Sequence, residues 1–471
     1  GGGSAGWMTA ATLIKAYPDK DITLIESPNV PVIGVGESTI ARVRNWTKFL
    51  ELDDKHFLSH TDGIYKLSIK FTDFYKKGEA FHYPFGNCPE EGNKAGLNDW
   101  WFKKSLYPET PQSDYADCMY PIMSLINNNK MTDESFEGYD FSRDVAFHFD
   151  AIKFGQWLKE HYCLPRGVNH IQEDIVDVPT DENGVKCLVT KNYSYYADLY
   201  IDCTGFKRLL ISKLGAKWHS YKEHLILNHA IAFPTDDTDN YNVYSLSKAM
   251  KYGWMWRVPV YGRWGNGYIF DDTCIDAEQA QKEVEEYLGY KVNIFKDIKF
   301  DPGALDKVWI KNCMAVGLSA NFMEPLEASS IGTSLNQMFM LMHVLENHTQ
   351  QDIDDFNNKM KDIMNNVRDF VFVHYMLDRQ DTEFWQKVSK IEPPETLKKN
   401  LAKWKYRLPI REDFKGTDYH LFFEYNWASV LHGIGLFDTD SIKKEYNSYN
   451  EIWKQDIKRE ISNWKNSQNT Q

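Results

Sequence analysis

Apolar residues fall into three textures along the chain. Near its start, Trp7 to Tyr17 carries helical spacing and stops at Pro18, and Ile22-Thr-Leu-Ile-Glu26 follows as a buried strand. A helix over 151–162 (Ile152, Trp157, Leu158) and strands at Val185–Thr190 and Asp198–Asp202 return to this α/β character, the second strand running into Cys203-Thr-Gly-Phe206. Between 46 and 144 the texture is aromatic and loop-rich, and between 211 and 305 it is rich in strands. Asn312–Asn321 reads as a short apolar strand and a Gly/Ser/Asn turn, before helical spacing at Ile331, Leu335, Met338, Phe339, Met342 and Leu345. Beyond about 332 the chain is mainly helical, ending in an amphipathic tail with Tyr446, Ile452, Trp453 and Ile457. The pattern predicts an α/β nucleotide-binding domain from 1–45, 145–210 and 306–345, a mixed α/β substrate domain from 46–144 and 211–305, and a helical C-terminal cap over 346–471.

Two segments alternate with period two. In Tyr65-Lys-Leu-Ser-Ile-Lys-Phe71 the pattern puts Tyr65, Leu67, Ile69 and Phe71 on one face and Lys66, Ser68 and Lys70 on the other. Such alternation most often marks a sheet with one wet face. The sharper alternative is a cavity wall, where desolvation makes a lysine a donor or nucleophile. Gly253-Trp-Met-Trp-Arg-Val-Pro259 projects Trp254 and Trp256 together, a pattern more often of core packing than of a cofactor wall. Gly262–Gly267 reads as a hairpin connection, and Phe81-His-Tyr-Pro-Phe85 as an aromatic loop in which a lone His82 is usually just exposed.

Gly1-Gly-Gly-Ser-Ala-Gly6 fits the G-x-G-x-x-G turn of a dinucleotide site, and Glu26, 20 residues after Gly6, stands where an acid meets a ribose hydroxyl. Gly1, Gly3, Ser4, Ala5, Gly6 and Glu26 are thus cofactor candidates. A strand should precede Gly1, so several more apolar residues are expected upstream. A second glycine-rich turn, Val32–Thr39, lets backbone approach a cofactor at Gly36, Glu37 and Ser38. Glu324-Pro-Leu-Glu-Ala-Ser-Ser-Ile331 sets two carboxylates beside a helix N-terminus, where free amides suit an anion or a flavin edge and a carboxylate suits proton chemistry. The plainer alternative is charge complementarity with the helix dipole, which needs no catalysis.

Bulk properties narrow the classes. Across 471 residues, 42% hydrophobic and 15% aromatic content indicates a globular protein of two or three packed units. A net charge of −13 gives no nucleic-acid footprint, and no apolar run reaches membrane-spanning length, so a soluble, cytoplasmic protein is expected. Seven cysteines, never as C-x-x-C, suggest free thiols, and no metal-ligand spacing appears. With only one dinucleotide fingerprint, a flavin arrives already reduced.

These residues resemble the flavin-dependent halogenases of the tryptophan-halogenase type over nearly the whole chain. The resemblance rests on GGGSAGWMTA at the start, GVGEST at 34–39, YKLSIKF at 65–71, GWMWRVP at 253–259 and EPLEASSIG at 324–332, supported by ADLYIDCTGF at 197–206 and NCMAVGLSA at 312–320. It implies a Rossmann-like FAD domain of the GR2 flavin-monooxygenase type, FADH2 from a separate reductase, and oxidation of a bound halide to hypohalous acid. That acid would pass to Lys66, with Lys70 the weaker candidate, and on to an electron-rich aromatic ring. By motif position Glu327 would stabilise and deprotonate the halogenated ring, Gly317, Leu318 and Ile331 would join the flavin site, and Ser329 and Ser330 would hold the halide. Trp254, Trp256 and Pro259 would partition flavin from substrate, and Phe81, His82 and Phe85 are weaker substrate candidates. The family's Ser-Thr-Gly after the second Glu is here Ala328-Ser-Ser330, which leans the halide toward bromide or iodide. The aromatic stretch Asp418–Trp427 runs straight into Ala428, so the amino-acid clamp looks shortened and substrates other than free tryptophan are favoured. Family members encoded by marine cyanophages exist, a source this Lys-, Asn-, Asp- and Tyr-rich composition also fits; the compartment would then be the host cytoplasm. Homo-oligomers stay open. An aromatic hydroxylase and a non-catalytic flavin-binding protein are the rival functions.

Overall fold

The computed structural model describes residues 1–32, 37–87, 98–236, 241–377 and 379–468. The dinucleotide motif becomes an extended turn at Gly1–Gly3 running into the helix Ser4–Ala16. Beside it, Thr23–Glu26 pairs in parallel with Asn169–Gln172, and Tyr200–Asp202 pairs in parallel with Cys313–Ala315. The Gly1 backbone nitrogen donates to the Ile25 carbonyl at 3.0 Å, and a Cβ on Gly1 would stand 2.2 Å from the Cys203 carbonyl oxygen. The glycine turn therefore lies between the two parallel pairs. The helix buries Trp7, Met8, Ala11 and Ile14 against Leu24, Phe154 and Leu335, the last from the helix Ser329–Val344.

A seven-stranded sheet forms the second layer, in the order Lys296–Lys299, His229–Thr235, Arg263–Phe270, Gly253–Val260, Tyr244–Ala249, Ser68–Thr72, Ala80–Pro84. Only the contact between Tyr244–Ala249 and Ser68–Thr72 is parallel. The Gly262–Gly267 segment is corrected here: the hairpin connection is Tyr261-Gly262 alone, and Arg263 already pairs with Val260. Gly267 lies directly across from Trp256, and a Cβ there would fall 2.0 Å from the indole. The absent side chain is what lets that ring lie flat on the neighbouring strand.

The strict alternation expected over Tyr65–Phe71 also fails, at one residue. Ile64–Lys66 pairs with Ala146–Phe149 in a small three-stranded sheet, whereas Ser68–Thr72 belongs to the large one. Leu67 bridges them, donating to the Val243 carbonyl and accepting from the Phe85 amide. Crossing between sheets resets the side-chain parity. Leu67 packs with Trp100 and Tyr115, while Ile69 and Phe71 join the opposite core with Trp254 and Phe370.

Two other expected elements divide. The helix over 151–162 turns π-helical after Trp157, and Val185–Thr190 becomes the short strands Gly184–Val185 and Leu188–Val189. The C-terminal region is helical as expected, led by the helix Gln350–Val373, which starts on a Thr349/Asp352 capping box. Its buried end places Phe370 in a stack on Phe422 at 3.9 Å, with Trp427 edge-on. Gly267→Val is expected to cost about 1–3 kcal/mol by overpacking against Trp256. Urea unfolding midpoints of variant and parent measure it.

Candidate active site

A cavity of about 480 Å³ runs from the glycine turn to the inner face of the seven-stranded sheet. Gly1, Gly3, Ser4, Ala5, Gly6, Glu26, Ser38, Gly317, Leu318 and Ile331 all line it, although they come from five separate stretches of chain. Gly36 lies outside the described residues, as does the side chain of Glu37. At the turn, a Cβ on Gly2 would overlap the Glu26 carboxylate at 1.4 Å and one on Gly6 would strike the Gly1 carbonyl at 1.9 Å. Only glycines leave this cradle open to a ligand's phosphates beside the N-terminus of Ser4–Ala16. Glu26 ends its strand with His170 Nε2 at 2.6 Å, which aims the carboxylate at the cavity mouth. The cradle, helix N-terminus and terminal acid fit a dinucleotide such as FAD. Ser245, Ser247 and Phe206 also face the cavity; the alternation of Tyr244–Ala249 was the available signal for the two serines.

The far wall carries Trp254 and Trp256, ring centroids 6.1 Å apart. Trp254 is fully buried and its Nε1 donates to Glu324 Oε2 at 2.6 Å, an oxygen that also accepts from the Tyr375 hydroxyl. Burial pushes the Glu324 carboxyl up to about 7, its two donors opposing. Glu324 thus fixes an indole of the cavity wall. Pro259 is corrected: Val258 lines the cavity, so Pro259, one residue on, faces the other side of the strand.

Lys66 reaches the same cavity from its small sheet and is 0% exposed. Its Nζ donates to Ser38 Oγ at 2.8 Å and to the Thr39 carbonyl at 2.9 Å, and stands 5.0 Å from the Phe85 ring centroid. Burial brings the ammonium down to about 7, with the Glu327 carboxylate pulling it back up. Glu327 is also 0% exposed; burial raises its carboxyl, opposed by His374 and then Lys66. His374 Nε2 stands 2.7 Å from Glu327 Oε1, and both groups are fully enclosed. His374 lies in a helical run with no motif around it, so no spacing signal marks it.

After Glu327 comes Ala328, a non-glycine residue in the left-handed region at φ 50°, ψ 35°. That turn aims the helix Ser329–Val344 so that Ser330 and Ile331 meet the cavity, with no side chain capping the helix N-terminus. Ser329 is buried behind them. The amides at that end have no side-chain cap, and free amides at a helix N-terminus favour an anion in general.

Lys70 does not share the face of Lys66. It opens on a separate cavity with Tyr244, Lys248 and Tyr287, because the change of sheet at Leu67 turned Ile69 inward instead. His82 is on that outer face too, bonded to Ser68 Oγ at 3.0 Å and packed on Tyr244. Burial lowers its imidazole to about 3, so it is a neutral, half-buried histidine. Phe81 is stacked on Phe71 in the core. Tyr83, which the sequence did not single out, faces Glu327 instead, its hydroxyl held by Asn426 Nδ2 at 2.6 Å. Among the described residues no helix is long and apolar enough to cross a membrane, and no group of His, Cys, Asp and Glu is arranged to hold a metal ion.

A family model described as tryptophan halogenase matches residues 1–446. The tryptophan 6-halogenase ThaL of Streptomyces albogriseolus is 30% identical, covering 93% of this chain and 88% of ThaL. The tryptophan 7-halogenase RebH of Lentzea aerocolonigenes is 27% identical with the same coverages, 93% and 88%. Among solved structures, Xcc4156, a flavin-dependent halogenase from Xanthomonas campestris, matches with a TM-score of 0.87 at 26% identity, over 99% of this chain and 94% of its own. Glycine cradle, flavin-sized cavity and these matches agree: the chain belongs to the tryptophan halogenase family and is a flavin-dependent halogenase with that family's Rossmann-like FAD-binding fold.

Proposed function

We propose that Lys66 accepts an oxidised halogen and delivers it to an electron-rich aromatic molecule, with Glu327 as the base that takes the ring proton. The observation carrying this is a fully enclosed lysine whose ammonium is brought to about 7, electrostatically coupled to a fully enclosed carboxylate. Reduced FAD, when bound, supplies with dioxygen the oxidising power that turns halide into hypohalous acid. Ser329 and Ser330 amides hold the halide at the uncapped helix end. Near neutral pH a good share of Lys66 is amine, and amine is the form that can attack. The N–halogen bond forms as the O–halogen bond breaks, and one N–H proton leaves with hydroxide as water. The aromatic carbon then takes the halogen, the bonding pair stays on the lysine nitrogen, and the ring proton passes by way of Glu327 to that nitrogen, restoring the amine.

Trp254, clamped by Glu324, keeps the aromatic molecule off the flavin side, so the halogen crosses by way of Lys66 rather than oxygen crossing directly. Substrate specificity beyond free tryptophan is supported by the Asp418–Trp427 stretch: Phe422 and Trp427 are in the core and do not project as a clamp. The halide is bromide or iodide in preference to chloride. Both are easier to oxidise, and Ala328-Ser-Ser330 replaces the usual binding sequence.

The test supplies the protein with FAD, a flavin reductase, each halide and a panel of indoles and phenols, read by mass spectrometry. Halogenated products are expected, more with bromide than chloride. Oxygenated products alone would overturn the proposal. Lys66→Ala should abolish aromatic halogenation while hypohalous acid still reaches a soluble scavenger. Glu327→Gln should lower the rate about 10²–10⁴-fold. Between pH 6 and 8 the wild-type rate should rise as the Lys66 ammonium, held at about 7, loses its proton. Lys66→Arg, a cation across that range, should stay inactive throughout.

A further inference from the structure

Glu327 is faced by titratable groups from several elements. Lys66 comes from Ile64–Lys66, Tyr83 from Ala80–Pro84, and His374 caps the end of Gln350–Val373. Glu324 lies three residues before it, and bonds Trp254 and Tyr375, while Arg42 acts on Tyr83. Among these, His374 and then Lys66 act on the Glu327 carboxylate, opposing the effect of burial.

The tautomer of His374 follows from its surroundings. Nδ1 is 2.8 Å from the Phe370 carbonyl oxygen, which can only accept, so Nδ1 carries hydrogen. Nε2 then offers either a lone pair or a second proton to Glu327 Oε1, 2.7 Å away. Two bare lone pairs that close in a dry site would repel, so one proton lies between the two atoms. The ring itself is clamped, with Phe71 at 4.8 Å and Phe370 at 5.5 Å between centroids, and is 0% exposed. Glu327 Oε2 makes no hydrogen bond among the described residues and is the oxygen left for a substrate.

The consequence appears when Lys66 carries halogen. The amine that attacks and the N-halogenated amine that results are both neutral, so Lys66 gives Glu327 no counter-charge at the step that needs it as a base. A buried carboxylate without a cation takes up a proton and ceases to be a base. We infer that His374 is the positioning residue that keeps Glu327 an ionised base while Lys66 holds the halogen. The ring proton goes to Oε2 and passes from there to the lysine nitrogen, restoring the amine.

This inference rests on the roles proposed for Lys66 and Glu327, so its test has an arm that needs no turnover. In an infrared pH titration, Glu327→Gln identifies the carboxyl band of Glu327. His374→Asn keeps a donor toward the Phe370 carbonyl but ends short of Glu327. There the band should titrate at least about one pH unit higher than in the parent, a tenfold change in proton affinity. In the turnover arm, His374→Asn should release hypohalous acid to a scavenger at the parent rate. Its aromatic product should fall about 10²-fold in kcat with KM within about twofold, and its acid limb should move to higher pH. His374→Gln, whose amide reaches toward Oε1, should recover part of the rate, and it replaces Asn in the infrared arm if the Asn variant does not fold. An unshifted carboxyl titration in a folded variant, or a parental pH profile, would overturn the inference. Absence of halogenation by the parent would count against the proposed function alone, while the infrared arm still decides on the pair.

Discussion

The arrangement depends on one electrostatic constraint: Lys66 and Glu327, opposite charges by default, are both fully enclosed in protein. Burial alone would drive a lysine toward amine and a carboxylate toward acid; Glu327 opposes that shift on Lys66, and His374 and then Lys66 oppose it on Glu327. Lys66 is thereby held near the balance between ammonium and amine. Groups poised in that way exchange protons at neutral pH, whereas the same side chains on the surface would stay fixed as ammonium and carboxylate. The surrounding structure builds that enclosure. The strand that carries Lys66 leaves one sheet for another immediately after it, and the turn that carries Glu327 forces Ala328 into the left-handed region to start a helix.

The flavin cavity is placed by the same two features. The small sheet holding Lys66 also holds Ser38, and the helix after Ala328 presents its uncapped end to the cavity, so lysine and anion site open on one space. Opposite them, the seven-stranded sheet supplies a rigid wall whose indole, Trp254, is tied back by Glu324. The two glutamates of one short segment therefore divide their work: Glu324 holds a wall and Glu327 faces lysine and histidine. Their neighbours explain the division: an indole and a phenol donate to the first, and two titratable nitrogens act on the second electrostatically.

Much of the fold was legible in the chain. The glycine turn and helix, the acid-ended strand, the paired-tryptophan strand and the helical C-terminal part follow from spacing and alternation, which report local burial well. What failed was parity across a junction. Period two holds only within one strand of one sheet, so a change of sheet at Leu67 moved Lys70 and His82 away from Lys66 and brought Tyr83 in. The same one-residue rule turned Pro259 off the cavity. His374 was not legible because its position follows from where a 24-residue helix ends, and a helix end is a tertiary fact. Gly267 under Trp256 was missed because a glycine in a strand signals a close approach without naming the partner.

The central claim is that the halogen rests on Lys66 between its oxidation and its transfer. The most direct measurement is a single turnover of the reduced, FAD-loaded protein with bromide and dioxygen but no aromatic molecule, quenched and digested for peptide mass spectrometry. One bromine is expected on the peptide containing Lys66, absent in Lys66→Ala and discharged when an aromatic substrate is added before the quench. Hypobromous acid formed in stoichiometric amount with no bromine on Lys66, together with undiminished aromatic bromination by Lys66→Ala, would contradict it.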